Sequence, residues 1–252
     1  MISERRLSKF EKEIPIVNYK EFSFDKNGVP YLSAENVEGF ANEVLIWFDK
    51  DLLFEPREIP ISKIIDKLSS EYNVRSIRDI DLGETESEYQ ILGKCLPDDR
   101  TIYISSALSD EESRLRFTVA HELGHLLLHR ALRLKGKINP NINEDTEIDL
   151  DTGRKKLITA WDFLEWQANC FAANLLLPEK SFCKAFIDKQ NKMKIRRNVG
   201  RIYINTDSSI SILVEIRYHL ALIFGVSESC VEYRLNALNI IIDERDKNTR
   251  KL

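Results

Sequence analysis

Arg116–His129 reads RFTVAHELGHLLLH, and the rest of the chain is organised around it. Within it, His121-Glu122-x-x-His125 has the spacing at which two imidazoles on one helical face reach a single zinc ion, with a glutamate between them as general base. Positions i and i+4 stack on a helix, and Glu122 falls about 100° around from His121. Val119, Ala120, Leu123, Leu126 and Leu127 occupy the opposite face and are expected to pin the helix into a core. Gly124 is out of place by propensity, since a mid-helix glycine costs about 1 kcal/mol relative to alanine. It is expected where another backbone, or a substrate, comes close beside the metal position. The chain has four histidines, and three of them lie in this stretch.

The 252 residues suffice for one large domain or two small ones. A 43% hydrophobic and 31% charged composition is that of a soluble globular protein. The net charge of −4 gives no global attraction to nucleic acid. MISERRLSKF lacks the apolar run of a signal peptide, and no window approaches the roughly 18 apolar residues of a membrane span, so a cytoplasmic protein is expected. Cys95, Cys170, Cys183 and Cys230 show no C-x-x-C spacing and are expected to be reduced, mostly buried thiols.

Residues 1–33 read as an irregular lead-in. Ser33 is a candidate N-cap, and Val37, Phe40, Ala41, Val44 and Phe48 follow at helical spacing over Ala34–Asp49. Ile61–Tyr72 is a second helix after Pro60, so residues 34–73 are expected to pack on, or precede, the catalytic domain at 74–240. Short β-rich runs follow at Val74–Ile80, Tyr89–Leu96 and Thr101–Ser105, the last two joined by the turn-forming Leu96-Pro97-Asp98-Asp99-Arg100. This hairpin is expected beside the metal helix, which is capped at Ser109 and runs from Asp110 to Arg130. Residues 131–160 read as a charged surface insertion turned at Asp151-Thr152-Gly153, residues 209–240 as a helical C-terminal part, and 241–252 as a charged tail.

A zinc hydrolase needs a third protein ligand and an open fourth position. His129 lies two turns beyond His121, a rise of about 12 Å, too far to share one ion. It reads instead as a helix C-terminal residue favoured by the dipole. Trp161–Pro178, WDFLEWQANCFAANLLLP, offers a better source. Glu165, Asn169, Ala172, Ala173 and Leu176 share one helical face, and the small alanines permit close approach. Glu165 is the first candidate ligand and Asp162 the second. Asn169, one turn on, is placed to accept Nδ1–H from a zinc histidine.

Two blocks, RFTVAHELGH at 116–125 and Glu165-x-x-Ala168-Asn169-x-Phe171-Ala172-Ala173-x-Leu175-Leu176-x-Pro178, resemble the ImmA/IrrE family of metallo-endopeptidases. Leu220-Ala221-x-x-Phe224-Gly225-Val226-Ser227 is similar to the helical end of that domain. The resemblance implies an α+β, zincin-like and mostly helical fold with a small hairpin beside the metal helix. It implies one zinc ion on His121, His125 and Glu165, with Glu122 as base. It also implies cleavage of helix-turn-helix repressors that control mobile-element or stress-response genes. Gln167 departs from the family, standing where members often carry an acid, and Asn169 replaces the aspartate of better-known gluzincins.

Two rival readings stand beside this one. Ile210–Gly225 and Ser227–Leu238 have the layout of a helix-turn-helix, although its second helix offers only Arg234 as a base. Alternatively, the chain is a metal-bearing scaffold that holds a repressor without cutting it. Lys192, Lys194, Arg196, Arg197 and Arg201 read as solvated surface ahead of a short strand at Ile202–Asn205. Tyr203 and His219 are available as a second electrophile.

Overall fold

The structure is a computed structural model and describes residues 22–24, 28–85, 89–129 and 159–245. Over those residues it is α+β and mostly helical. α1 (Ala34–Asp49) begins at Ser33, which accepts from the Asn36 N–H while Asn36 accepts from the Ser33 N–H. α2 (Ile61–Tyr72) buries Ile61, Ile64, Ile65 and Leu68 and ends at Asn73, whose φ of 59° is left-handed. Three strands follow: β1 (Arg75–Ile80), β2 (Gly93–Leu96) and β3 (Thr101–Ser105). β3 is central, parallel to β1 and antiparallel to β2, with Cys95 opposite Ile102 in the hairpin. The second strand starts at Gly93 rather than Tyr89, because ahead of it Thr85 N–H donates to Tyr89 O and Ile91 N–H to Gly83 O.

α3 (Glu112–His129) lies against β2 and β3. It starts two residues later than expected. Ser109 instead closes a single 3₁₀ turn, Ser106–Leu108, in which its own N–H is bound to Ser106 O. Burial extends to both faces: every residue from Arg116 to His129 is buried. α3 is therefore the central helix of the domain, enclosed by the sheet on one side and by α4 (Ala160–Leu176) on the other.

α4 begins at Thr159, with Asp162 completing a reciprocal cap. α3 and α4 make the most extensive contact between elements, and α1 packs on the outer side of α4. α5 (Glu179–Lys192) follows Pro178 directly and was not anticipated, although Phe182, Ala185 and Phe186 carry the spacing of a buried face. α6 (Asp207–Phe224) starts three residues ahead of its first apolar residue, because Thr206 and Ser209 cap each other. It ends at Gly225, with φ 62°, and α7 (Glu228–Ala237) leaves at a 107° bend. β4 (Ile202–Ile204) pairs in parallel with β5 (Ile241–Asp243), so the start of the expected tail is a strand.

One apolar core runs from Leu32 through α1, α2, α3 and α4 to Ile240. A second small cluster joins Val29 to Ala160 and Leu164 at the start of α4. Cys95, Cys170 and Cys230 are buried and Cys183 is partly so, all as free thiols. Among the described residues, no single helix is long and apolar enough to cross a membrane. Most of the insertion at 131–160, including its expected turn, lies outside the described residues, whereas Ala160 is the first residue of α4.

Candidate metal centre

The side chains converge because α3 and α4 approach closely. A Cβ on Gly124 would stand 3.1 Å from Phe171 Cδ1, 3.2 Å from Ala168 Cα and 3.3 Å from its carbonyl oxygen. Gly124 is thus the point of close helix approach, and a side chain there would press on the α4 backbone and on Phe171. Three residues before it and one after, His121 and His125 face Glu165 across the contact.

His121 Nε2 lies 3.3 Å from Glu165 Oε2, His125 Nε2 lies 3.3 Å from Glu165 Oε1, and the two Nε2 atoms are 3.0 Å apart. The three donor atoms all fall within 4.8 Å of one another. A tetrahedral zinc with ligands at 2.0–2.2 Å holds neighbouring donors about 3.3 Å apart. The spacing fits that ion. Both imidazoles are buried, whereas Glu165 retains 26% of its side-chain exposure, so the approach from solvent is on its side.

The protonation pattern fits as well. His121 Nδ1 is 2.9 Å from Asn169 Oδ1, an atom that can only accept. Nδ1 therefore carries a proton, and Nε2 is the nitrogen turned toward His125 and Glu165. Burial holds His125 below the ordinary histidine range, with Glu165 opposing and His121 adding to the effect. For Glu165, burial works upward, but His125 and His121 outweigh it and hold the carboxyl well below the usual range. The set is two imidazoles and a carboxylate, the donor chemistry of a divalent cation site.

Glu122 is fully buried beside β2. A Cβ on Gly93 would stand 2.4 Å from Glu122 Oε1 and 2.8 Å from Thr118 Cγ2, so any side chain there would displace this glutamate from its place. Asp162, the second candidate ligand, lies outside the group; its carboxylate accepts the Thr159 N–H at 2.7 Å in the α4 cap. His219 sits on the α5 side of α6, where burial and then Lys189 and Lys192 lower its pKa, and Tyr203 lies in β4. Neither belongs to the histidine–glutamate group.

His129 departs most from expectation. It is buried, its Nδ1 lies 2.9 Å from His125 Nδ1, and its Nε2 lies 3.1 Å from Gln167 Oε1. Burial, then the neighbouring His125, push it well below the ordinary range, so it is neutral and offers no charge to a helix dipole. Trp161 was also missed: its ring is nearly parallel to His125, at 15° and 6.4 Å between centroids. Its place in the first turn of α4, one turn before Glu165, was the available signal.

The family described as the IrrE N-terminal-like domain (Peptidase_M78) matches residues 79–236, more than half of the chain. The chain belongs to this family. Among curated proteins, none matches it. The IrrE-like match begins inside β1 and ends within α7, so it contains the whole histidine–glutamate group, while α1 and α2 precede it. This is a metallopeptidase-family domain of the IrrE/ImmA kind.

Proposed function

We propose that the protein is a zinc-dependent endopeptidase in which His121, His125 and Glu165 hold one zinc ion and Glu122 is the general base. The observation carrying this reading is the convergence of two imidazole Nε2 atoms and one carboxylate at zinc-ligand spacing. When bound, zinc supplies Lewis acidity, acidifying water and polarising the scissile carbonyl. Glu122 takes a proton from the attacking water and passes it to the leaving amine. The absence of a side chain at Gly93 leaves the room that the buried carboxylate occupies. β2 lies at the edge of the sheet beside α3 and is the strand to which an extended peptide would add.

The substrate we assign is a cytoplasmic DNA-binding repressor of the helix-turn-helix type, from the family resemblance. The opposite possibility, that the chain itself binds DNA, is disfavoured by Arg234. Although α6 and α7 meet at a helix-turn-helix-like angle, Arg234 is buried and donates to Leu177 O and Glu38. The α7 carboxylates Glu228 and Glu232 are engaged by Arg217. α7 thus presents no cation to a phosphate.

Glu122→Gln is expected to retain stoichiometric zinc and lose about 10²–10⁴-fold in cleavage of a repressor substrate. His121→Ala is expected to lose both. Zinc content by elemental analysis and a gel cleavage assay measure the two effects. Undiminished cutting by Glu122→Gln would remove the protease mechanism and leave the non-cleaving scaffold.

A further inference from the structure

We propose that His129 and Gln167 are positioning residues: a hydrogen-bonded chain from the Pro30 carbonyl through Gln167 and His129 fixes His125 as the Nδ1–H tautomer, aiming its Nε2 lone pair at the metal. The proposal rests on the metal-site reading above. It begins with an atom whose role is fixed. The Pro30 carbonyl oxygen can only accept, and Gln167 Nε2 lies 2.9 Å from it. The Gln167 amide is thereby oriented, with Oε1 turned toward His129 Nε2 at 3.1 Å. An amide oxygen also only accepts, so His129 carries its proton on Nε2 and leaves Nδ1 bare. His125 Nδ1, 2.9 Å away, must then be the donor, and its Nε2 is left unprotonated.

The opposite polarity is the competitor. With His129 as Nδ1–H, His125 would hold Nε2–H and direct a proton at Glu165 or His121, where a cation has to sit. That arrangement would face a bare His129 Nε2 with Gln167 Oε1. Turning the amide to relieve this would set its oxygen against the Pro30 carbonyl oxygen. Since Gln167, His129 and His125 are all buried, water offers no ready substitute at these atoms. Pro30 itself is held by the Phe24–Pro30 bridge and by Tyr31 N–H on Ser23 O, and adjacent Val29 packs on Ala160 and Leu164. The segment ahead of α1 therefore reaches the metal position through three side chains, while the Nδ1 of His121 has its own partner in Asn169.

The test uses the full chain. In metal-free protein near neutral pH, long-range ¹⁵N–¹H spectra report the tautomer of each neutral imidazole. The parent is expected to show His125 as Nδ1–H, and Gln167→Leu to show it as a mixture or as Nε2–H. Zinc affinity, measured against a competing chelator, is expected to fall about 10–100-fold in His129→Leu. In His129→Asn, whose amide oxygen can accept from His125 Nδ1–H, it should stay within about threefold of the parent. A parent His125 that is Nε2–H overturns the proposal even if His129→Leu does not fold. So does unchanged affinity in a folded His129→Leu. A parent that binds no zinc sinks the metal-site reading instead, and the tautomer spectra still decide the hydrogen-bonded chain separately.

Discussion

Gly124 sets two opposed effects against each other. Alanine there gains about 1 kcal/mol of helix propensity. Its Cβ would also press on the Ala168 backbone at 3.2–3.3 Å and on Phe171 at 3.1 Å. Overpacking of this kind costs about 1–3 kcal/mol, and a helix backbone has no rotamer with which to yield. Gly124→Ala is expected to destabilise by about 1 kcal/mol, read as a lower urea midpoint with an unchanged slope. An increase in the midpoint would show that α3 and α4 can part without strain. At this scale much of the site was legible, because i, i+4 histidines and a glutamate on a small-residue helix face are local patterns. His129 was misread because spacing along one helix says nothing about what packs over it. Only α4 and Pro30 supply its partners.

Between elements, Arg116 is a tie that joins three parts of the chain. It is buried on α3, and its guanidinium donates to Ile59 O at 2.9 Å, to Gly225 O at 2.9 Å and to Glu58. It thus connects the residues before α2 to the α6–α7 turn across the base of the metal helix. Glu58 is 56% exposed, so the ion pair adds little, and the buried carbonyl bonds dominate. Arg116→Leu is expected to destabilise by about 2–4 kcal/mol in chemical denaturation. Arg116→Lys should not restore this, since a single ammonium lacks the fork that reaches both carbonyls. Full recovery by lysine would reduce Arg116 to a point charge. The first two helices were legible because caps and 3.6-residue periodicity coincide. Starts were misplaced at α3 and α6, where a 3₁₀ turn and a Thr206–Ser209 cap precede the apolar residues.

The fold encloses His121, His125 and His129, and this links stability to pH. His125 and His129 are held below their unfolded value, so under acid the unfolded chain binds more protons and is favoured. The loss sets in as pH falls through about 6.5, the unfolded histidine value, with each group contributing at most about 1.4 kcal/mol per pH unit. Glu165 is also depressed, so its contribution is present above about 4.3 and is lost as pH falls further. Both effects have the same sign. The urea midpoint of metal-free protein is expected to decline steadily from pH 7.5 to pH 4; a rise toward pH 5 would contradict neutral buried histidines. The sequence alone determined the side chains offered: two imidazoles and a glutamate on one helix, a carboxylate on a second, and the family, because ligand spacing within a helix is local. The tertiary structure alone decided that α3 is buried on every side, that Asp162 caps rather than joins the group, and that His129 links His125 to Gln167 and Pro30. Those outcomes depend on which surfaces meet across long stretches of chain, and helical periodicity carries no record of that.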